Sequence, residues 1–301
     1  MEIKRFAAID IGSNSVRLLI ENVLQNSEGP MFKKSALIRV PVRLGGNAFI
    51  DHSIPEITVR QLVDTMIGFR HIMRANGVLH YKGCATSAMR EATNGDQIIK
   101  RIKKEAGIDI DIITGNNEAH IIFNSQRAVS VKMNKNCVFI DVGGGSTEIT
   151  VFKNGKVFAA KSFRIGTIRL LQQTVKESEW KKMKDWLHTN TTRMRDVSVI
   201  GSGGNINRIS KLAQLKTDKP LPLKQLNAII EELKGYSIDD RMKKFDLNPD
   251  RADVIVPAGE IFVTLIRWLK ADKIFIPKVG LGDGIVREVY KEYLNGKSST
   301  L

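Results

Sequence analysis

A chain of 301 residues, 42% hydrophobic and 26% charged, holds enough apolar material for two ordinary globular domains. Its two cysteines, Cys84 and Cys137, form no Cys-x-x-Cys or Cys/His pairing, which argues against a disulfide framework or a zinc site, and no run reaches the roughly 20 apolar residues of a membrane span. The net charge of +15 is uneven: 16 Lys+Arg face 13 Asp+Glu in residues 1–118, leaving 31 against 19 in the remainder, so the second half points to a polyanionic partner or to a solvated basic surface.

In chain order, residues 4–11 and 16–24 read as strands joined by the turn Gly12–Ser15, and 33–44 as a third strand ending in Arg43-Leu44-Gly45-Gly46. Ser53, Pro55 and Glu56 form a capping-box pattern ahead of a helix carrying Val59, Val63, Met66, Phe69 and Met73, which Gly77 stops. A strand over 78–85, a helix from Asp96 to Gly107 and a strand over 108–113 follow, and Asn116 or Asn117 caps a helix running to about 133. The order then repeats. Strand 137–142 enters a glycine turn, and strands 148–153 and 156–163 are joined by Asn154-Gly155, a type I′ hairpin signal. The third strand ends in Arg164-Ile165-Gly166, and strand 197–200 runs into Gly201-Ser202-Gly203-Gly204-Asn205. Helices are expected over 223–244 and 250–271, then a strand over 273–277 and a last helix after Gly280-Leu281-Gly282-Asp283-Gly284.

The repeat is a whole domain. Ile9-Asp10-Ile11-Gly12 matches Ile140-Asp141-Val142-Gly143 and Ser15 matches Ser146, an offset of 131 residues, with Arg17 standing where the second copy has Glu148. Two similar α/β domains are implied, over 1–118 and 119–301, with a C-terminal helix of about 285–301 able to pack back on the first.

A tight Gly/Ser turn between strands exposes successive backbone N–H groups that bind anions. Gly12-Ser13-Asn14-Ser15 and Gly143-Gly144-Gly145-Ser146 are two such turns, and across the cleft of a two-domain clamp they could hold a phosphate chain from both sides. Carboxylates beside phosphate repel it unless a cation intervenes, so Asp10, Asp141 and Glu148 suggest Mg²⁺. Arg17 and Arg90 can bind phosphate bidentately, or stand as an exposed strand residue and a surface helix turn. Glu118 opens the helix joining the repeats: it either complements the helix dipole, which spacing alone favours, or accepts a proton from an attacking water.

Together these motifs resemble the exopolyphosphatase / guanosine pentaphosphate phosphohydrolase family of the actin, sugar kinase and heat-shock ATPase superfamily. The resemblance rests on Asp10-x-Gly12-Ser13-Asn14-x-x-Arg17, Thr86-x-Ala88-x-Arg90-Glu91-Ala92, Glu118-Ala119 and Asp141-x-Gly143-Gly144-Gly145-Ser146-Thr147-Glu148, in order along the chain. It implies two ribonuclease-H-like domains with an interdomain cleft, and hydrolysis of the terminal phosphoanhydride of polyphosphate or of the 5′ γ-phosphate of guanosine pentaphosphate. It implies that Glu118 is the catalytic base, that Asp141 and Glu148 bind Mg²⁺ with Asp10 near it, and that the two turns with Arg17 and Arg90 hold phosphate. Ser202-Gly203-Gly204-Asn205 resembles the superfamily's nucleotide-side loop, and the helix behind it, with Arg208 and Lys211, offers a helix-N-terminal anion site.

The chain departs from the family in three places. It lacks the C-terminal helical domains of longer members, so a homodimer could supply surface for long polyphosphate. Asn117 stands where an acid often precedes Glu118, and Gly282 stands where an Arg is common. A sugar kinase or actin-like ATPase of the same fold and a non-enzymatic polyanion binder are the competing classes. The retained Glu118, Asp141, Glu148 and Arg90 weigh against both. Aromatic content of only 6%, with no stacking platform, weighs against nucleic acid. Interruption of the first apolar run by Asp10, Ser13, Asn14 and Arg17 leaves no leader peptide, so a cytoplasmic protein is expected.

Overall fold

The computed structural model describes residues 3–27, 29–126, 136–215, 219–277 and 280–296, and it divides into two compact units, residues 1–128 with 279–301 and residues 129–278. The ends of the predicted helix to about 133 and of the C-terminal helix to 301 lie outside the described residues.

In the first unit, β1 (Ile3–Ile11), β2 (Val16–Asn26) and β3 (Gly29–Val40) form an antiparallel meander, followed by α1 (Gly45–Ala48) and α2 (Glu56–Ala75). Next come β4 (His80–Ala85), α3 (Ser87–Glu91), α4 (Gly95–Ala106), β5 (Ile110–Ile112) and α5 (Gly115–Gln126). β4 pairs parallel with β1 and β5 parallel with β4, giving the sheet order β3-β2-β1-β4-β5 among the described residues.

In the second unit, β6 (Cys137–Val142), β7 (Thr147–Lys153) and β8 (Lys156–Phe163) repeat the meander, then α6 (Thr167–Leu171), α7 (Glu177–Thr191), β9 (Ser198–Ser202) and α8 (Gly204–Leu212) follow. The sheet order is β8-β7-β6-β9, with β9 parallel to β6. A small pair, β10 (Leu221–Pro222) with β11 (Lys273–Ile274), flanks α9 (Leu223–Lys234), α10 (Ile238–Phe245), α11 (Pro249–Ala252) and α12 (Ile255–Trp268). The chain returns to the first unit as α13 (Leu281–Leu294).

The duplication extends to irregularities. Each meander carries a register shift between its second and third strands, at Ile20/Glu21 and at Val151/Phe152, positions that match under the repeat. Such bulges increase twist and re-aim side chains. Asn154 and Gly155 both take positive φ, 52° and 75°, as the type I′ turn requires.

Helix packing follows the sequence periodicity. α2 buries Val59, Leu62, Val63, Met66, Phe69 and Met73 on one face. α12 is buried on nearly every side, through Ile255, Val256, Ala258, Ile261, Phe262, Leu265 and Ile266, as befits the central helix of its unit. α13 lies on the first sheet, where Tyr290 meets the rings of Phe6 and Phe32 edge-on at 5.4 and 5.5 Å.

Several local expectations change. α5 opens at Gly115, so Asn116 and Asn117 lie inside it rather than capping it, and the helix expected over 250–271 is split into α11 and α12. The third strand ends at Val40, and Arg43–Gly46 turns into α1. The capping box at Ser53 does not form: α2 starts after Pro55, and the Glu56 carboxylate is taken by Arg60 at 2.8 Å and Arg101 at 2.9 Å instead. The helix expected over 223–244 breaks after Lys234, because Ser237 caps a new one by accepting from the Asp240 N–H at 3.1 Å. Among the described residues, no helix is long and apolar enough to cross a membrane.

Glu21 is a buried acid away from the glycine turns. It is 2% exposed on β2 and faces Lys34 across the bulged pair, and Lys34 reaches Asp283 of α13 at 2.7 Å. Burial, reinforced by the Asp283 charge, pushes the Glu21 carboxyl up to about 7, against the pull of Arg287 and Lys34. The folded state therefore favours the protonated acid. The stability this contributes is complete below the ordinary value of 4.5 and is lost as pH rises through about 7. Glu21→Gln should flatten that slope: in urea titrations from pH 5 to 8 the variant should gain on the parent with rising pH. Parallel curves would place the titration elsewhere.

Candidate active site

In the first unit, the candidate residues gather at the carboxyl ends of three neighbouring strands, the place where open α/β sheets put their ligands. The turn after β1 closes with the Gly12 N–H donating to the Ser15 carbonyl at 3.2 Å. Its middle carbonyls are tied from behind: Gly45 N–H donates to Ser13 O at 2.8 Å and Arg43 N–H to Asn14 O at 3.1 Å. The Ser13 and Ser87 hydroxyls lie 2.9 Å apart, which fastens the turn to α3. Arg90, in the last turn of α3, donates from Nη1 to Ile113 O at 2.5 Å, just ahead of α5. Glu118 sits in the first turn of α5, 7% exposed, and Thr114 Oγ1 takes the Asn117 N–H at 3.2 Å as the helix opens. The turn, Arg90 and the Glu118 helix are thus held in one network within the unit.

The structure gives Arg17 a partner that sequence reasoning did not assign. Asp10 and Arg17 are directly opposed on β1 and β2, and Arg17 Nη1 donates to Asp10 Oδ2 at 3.0 Å. Burial pushes the Asp10 carboxyl up, and the nearby guanidinium counteracts this.

The second unit builds the same turn with different chemistry. Gly143 N–H donates to Ser146 O at 2.9 Å. The start of α6 ties the turn carbonyls back: Thr167 N–H to Gly143 O at 3.0 Å, Ile168 N–H to Gly144 O at 2.8 Å, and Arg169 Nε to Gly145 O at 2.7 Å. Arg169 is itself buried. With the carbonyls occupied, the amides of Gly144 and Gly145 meet no protein acceptor among the described residues, which leaves them for an anion.

Asp141 and Glu148 are direct cross-strand partners on β6 and β7. Ser202 Oγ donates to Asp141 Oδ1 at 2.6 Å, and Ser162 Oγ donates to Glu148 Oε1 at 2.8 Å. Opposed like charges destabilise a strand pair, and Glu148 is 2% exposed. Two fixed carboxylates with flanking hydroxyls form an oxygen set suited to a hard divalent cation such as Mg²⁺, so these residues fit the metal that the resemblance implies. Gly203 lies against this pair with φ +114°, where an added Cβ would stand 3.3 Å from Asp141 Oδ1. Gly204 and Asn205 begin α8.

The anion site expected from Arg208 and Lys211 is not assembled. Arg208 Nη2 donates to Phe245 O at 2.6 Å, and Lys211 lies in the last turn of α8, away from its N-terminus. Sequence reasoning also passed over Ser87, Ser162 and Arg169 and named Ser202 only as part of its loop; these side chains orient the turns and carboxylates.

Comparison with known proteins finds relatives that align over most of the chain. A 26% identical relative, the bifunctional 3-dehydroquinate synthase/phosphatase of Fusobacterium nucleatum, aligns over 90% of this chain, which spans only 44% of its length. The putative exopolyphosphatase of Haemophilus influenzae is 24% identical, over 95% of this chain and 90% of its own. The crystal structure of the Aquifex aeolicus Ppx/GppA family member superposes with a TM-score of 0.76 at 26% identity, covering 97% of this chain and 99% of that one, two α/β units of the actin type. With residues 31–292 matched by its model, the chain belongs to the Ppx/GppA phosphatase family.

Proposed function

We propose that this protein is a Mg²⁺-dependent exopolyphosphatase that removes the terminal phosphate of inorganic polyphosphate. The observation that carries this reading is the opposed, serine-fixed pair Asp141 and Glu148 beside a glycine turn whose carbonyls are tied back. A pure anion trap gains nothing from two carboxylates, whereas a phosphoanhydride hydrolase uses them to hold a cation against phosphate oxygens.

Asp141 and Glu148 would hold Mg²⁺, which neutralises phosphate charge when bound. The Gly144 and Gly145 amides and the turn at Gly12–Asn14 receive phosphate oxygens, and Arg17 and Arg90 add guanidinium contacts. Gly203, which lies beside Asp141, would with Gly204 and Asn205 at the start of α8 add further backbone contacts to phosphate. Glu118 orients a water for in-line attack on the terminal phosphorus. The new P–O bond forms as the bridging P–O bond breaks, the shortened chain leaves with the electron pair, and the water proton passes to the Glu118 carboxylate. The basic excess of the second half gives the unreacted chain a surface to follow.

The test is phosphate release from short polyphosphate, long polyphosphate and guanosine pentaphosphate, each with Mg²⁺ and with chelator. Release from polyphosphate that stops on chelation is expected, with binding that weakens steeply as salt rises. Release from the pentaphosphate alone would move the assignment to the nucleotide phosphohydrolase. Metal-independent release would remove the cation from the reading.

A further inference from the structure

The two halves place the same aspartate in opposite surroundings. Asp141 has a carboxylate opposite it, Glu148, and a hydroxyl on its other side, Ser202, with strand register to both. Asp10, its counterpart under the repeat, has Arg17 and Cys84 in those two positions. The first aspartate is thus flanked by a cation and a buried thiol, the second by two further oxygen donors.

The contact distances carry the same contrast. Ser202 and Ser162 each engage one oxygen of a carboxylate in the second unit, at 2.6 and 2.8 Å. In the first unit the 3.0 Å bond from Arg17 is a charge-assisted contact on a 5% exposed carboxylate. A divalent ion approaching Asp10 would have to displace that guanidinium or sit beside it, at a Coulomb cost that no second acid in the strand pair offsets.

We propose that Arg17 is the first unit's built-in cation, held as an ion pair on Asp10, so that Asp10 takes no divalent ion and the protein's metal site consists of the Asp141/Glu148 pair without its first-unit counterpart. Asp10 is then a positioning residue. It fixes one edge of the Arg17 guanidinium, and the remaining donors of that fork stay available to phosphate. The duplication has diverged into one unit charged by a side chain and one charged by an exchangeable ion. This rests on the cation dependence proposed above and departs from the sequence-level placement of Asp10 near the metal.

Mn²⁺ binding, followed by electron paramagnetic resonance and calorimetry without substrate, tests it. The parent should bind one ion, and Asp141→Asn or Glu148→Gln should abolish that binding. Asp10→Asn keeps an acceptor for Arg17 and should change Mn²⁺ affinity by less than about tenfold, under the 10–100-fold that loss of even an outer-shell partner costs. Arg17→Glu, which copies the second unit's pair into the first, should add a second Mn²⁺ site. Loss of the single ion in Asp10→Asn overturns the proposal while leaving the metal reading intact. A parent that binds no Mn²⁺ overturns the metal reading itself. If Arg17→Glu fails to give a parent-like circular dichroism spectrum, the Asp10→Asn result decides alone.

Discussion

Replacing Glu118 by Gln should cut kcat by roughly 10² to 10⁴ while leaving KM for polyphosphate nearly unchanged. The substitution keeps the side chain's size and its place in the first turn of α5 but removes its ability to accept a proton. The phosphate contacts assigned above belong to other groups, namely Arg17, Arg90 and the two turns, so substrate binding should survive. The two parameters separate the alternatives for this residue. An acid that only complements the helix dipole contributes stability of about 0.3–1 kcal/mol. Its loss would shift the melting temperature with kcat intact. Parent-like turnover in a folded Gln variant would end the assignment of Glu118 as base. A raised KM with kcat unchanged would make it a binding residue instead.

The backbone plan was legible because its signals are local. Alternating apolar positions, the Asn154-Gly155 turn and the glycine turns after β1 and β6 are each specified within a few residues, and the doubling of that order revealed the repeat. The positions of Asp10, Asp141, Glu148 and Glu118 at strand ends and a helix start followed from the same signals. What surrounds those residues did not, because it depends on register. Counting outward from Lys153 opposite Lys156 sets Lys161 across from Glu148; the bulge at Val151/Phe152 moves the pairing by one residue and sets Ser162 there. A cation and a hydroxyl are exchanged by a single irregularity that no composition or periodicity marks. Ser202 was quoted only as part of a loop, since its bond to Asp141 needs the parallel pairing of β6 with β9, two strands separated by the rest of the meander and two helices. The Asp10–Arg17 pair, by contrast, is specified locally, because the tight turn at Gly12–Ser15 fixes its register.

Gly166→Ala should cost both stability and activity, though the residue binds nothing. Its backbone is extended, φ −146° and ψ 165°, a conformation open to any residue. The restriction is space: an added Cβ would stand 2.4 Å from Gly144 O and 2.5 Å from the Gly145 carbonyl carbon. Both neighbours are main chain and cannot swing aside, so the turn or the start of α6 must move. The two are bonded to each other through Thr167, Ile168 and Arg169, and a shift in either re-aims the Gly144 and Gly145 amides. Overpacking of this kind costs about 1–3 kcal/mol, and a displacement of about 1 Å at a positioning element can cost on the order of 10² in rate. Gly68→Ala is the matched control. It lies within α2 with nothing inside 4 Å of the added carbon. It should stabilise by roughly 0.5–1 kcal/mol through helix propensity and leave turnover alone. Measured well below both melting transitions, the Gly166 variant should lose far more activity than its unfolded fraction explains. A loss that tracks the unfolded fraction would mean that the turn tolerates displacement, and that the amides of Gly144 and Gly145 do not set the rate.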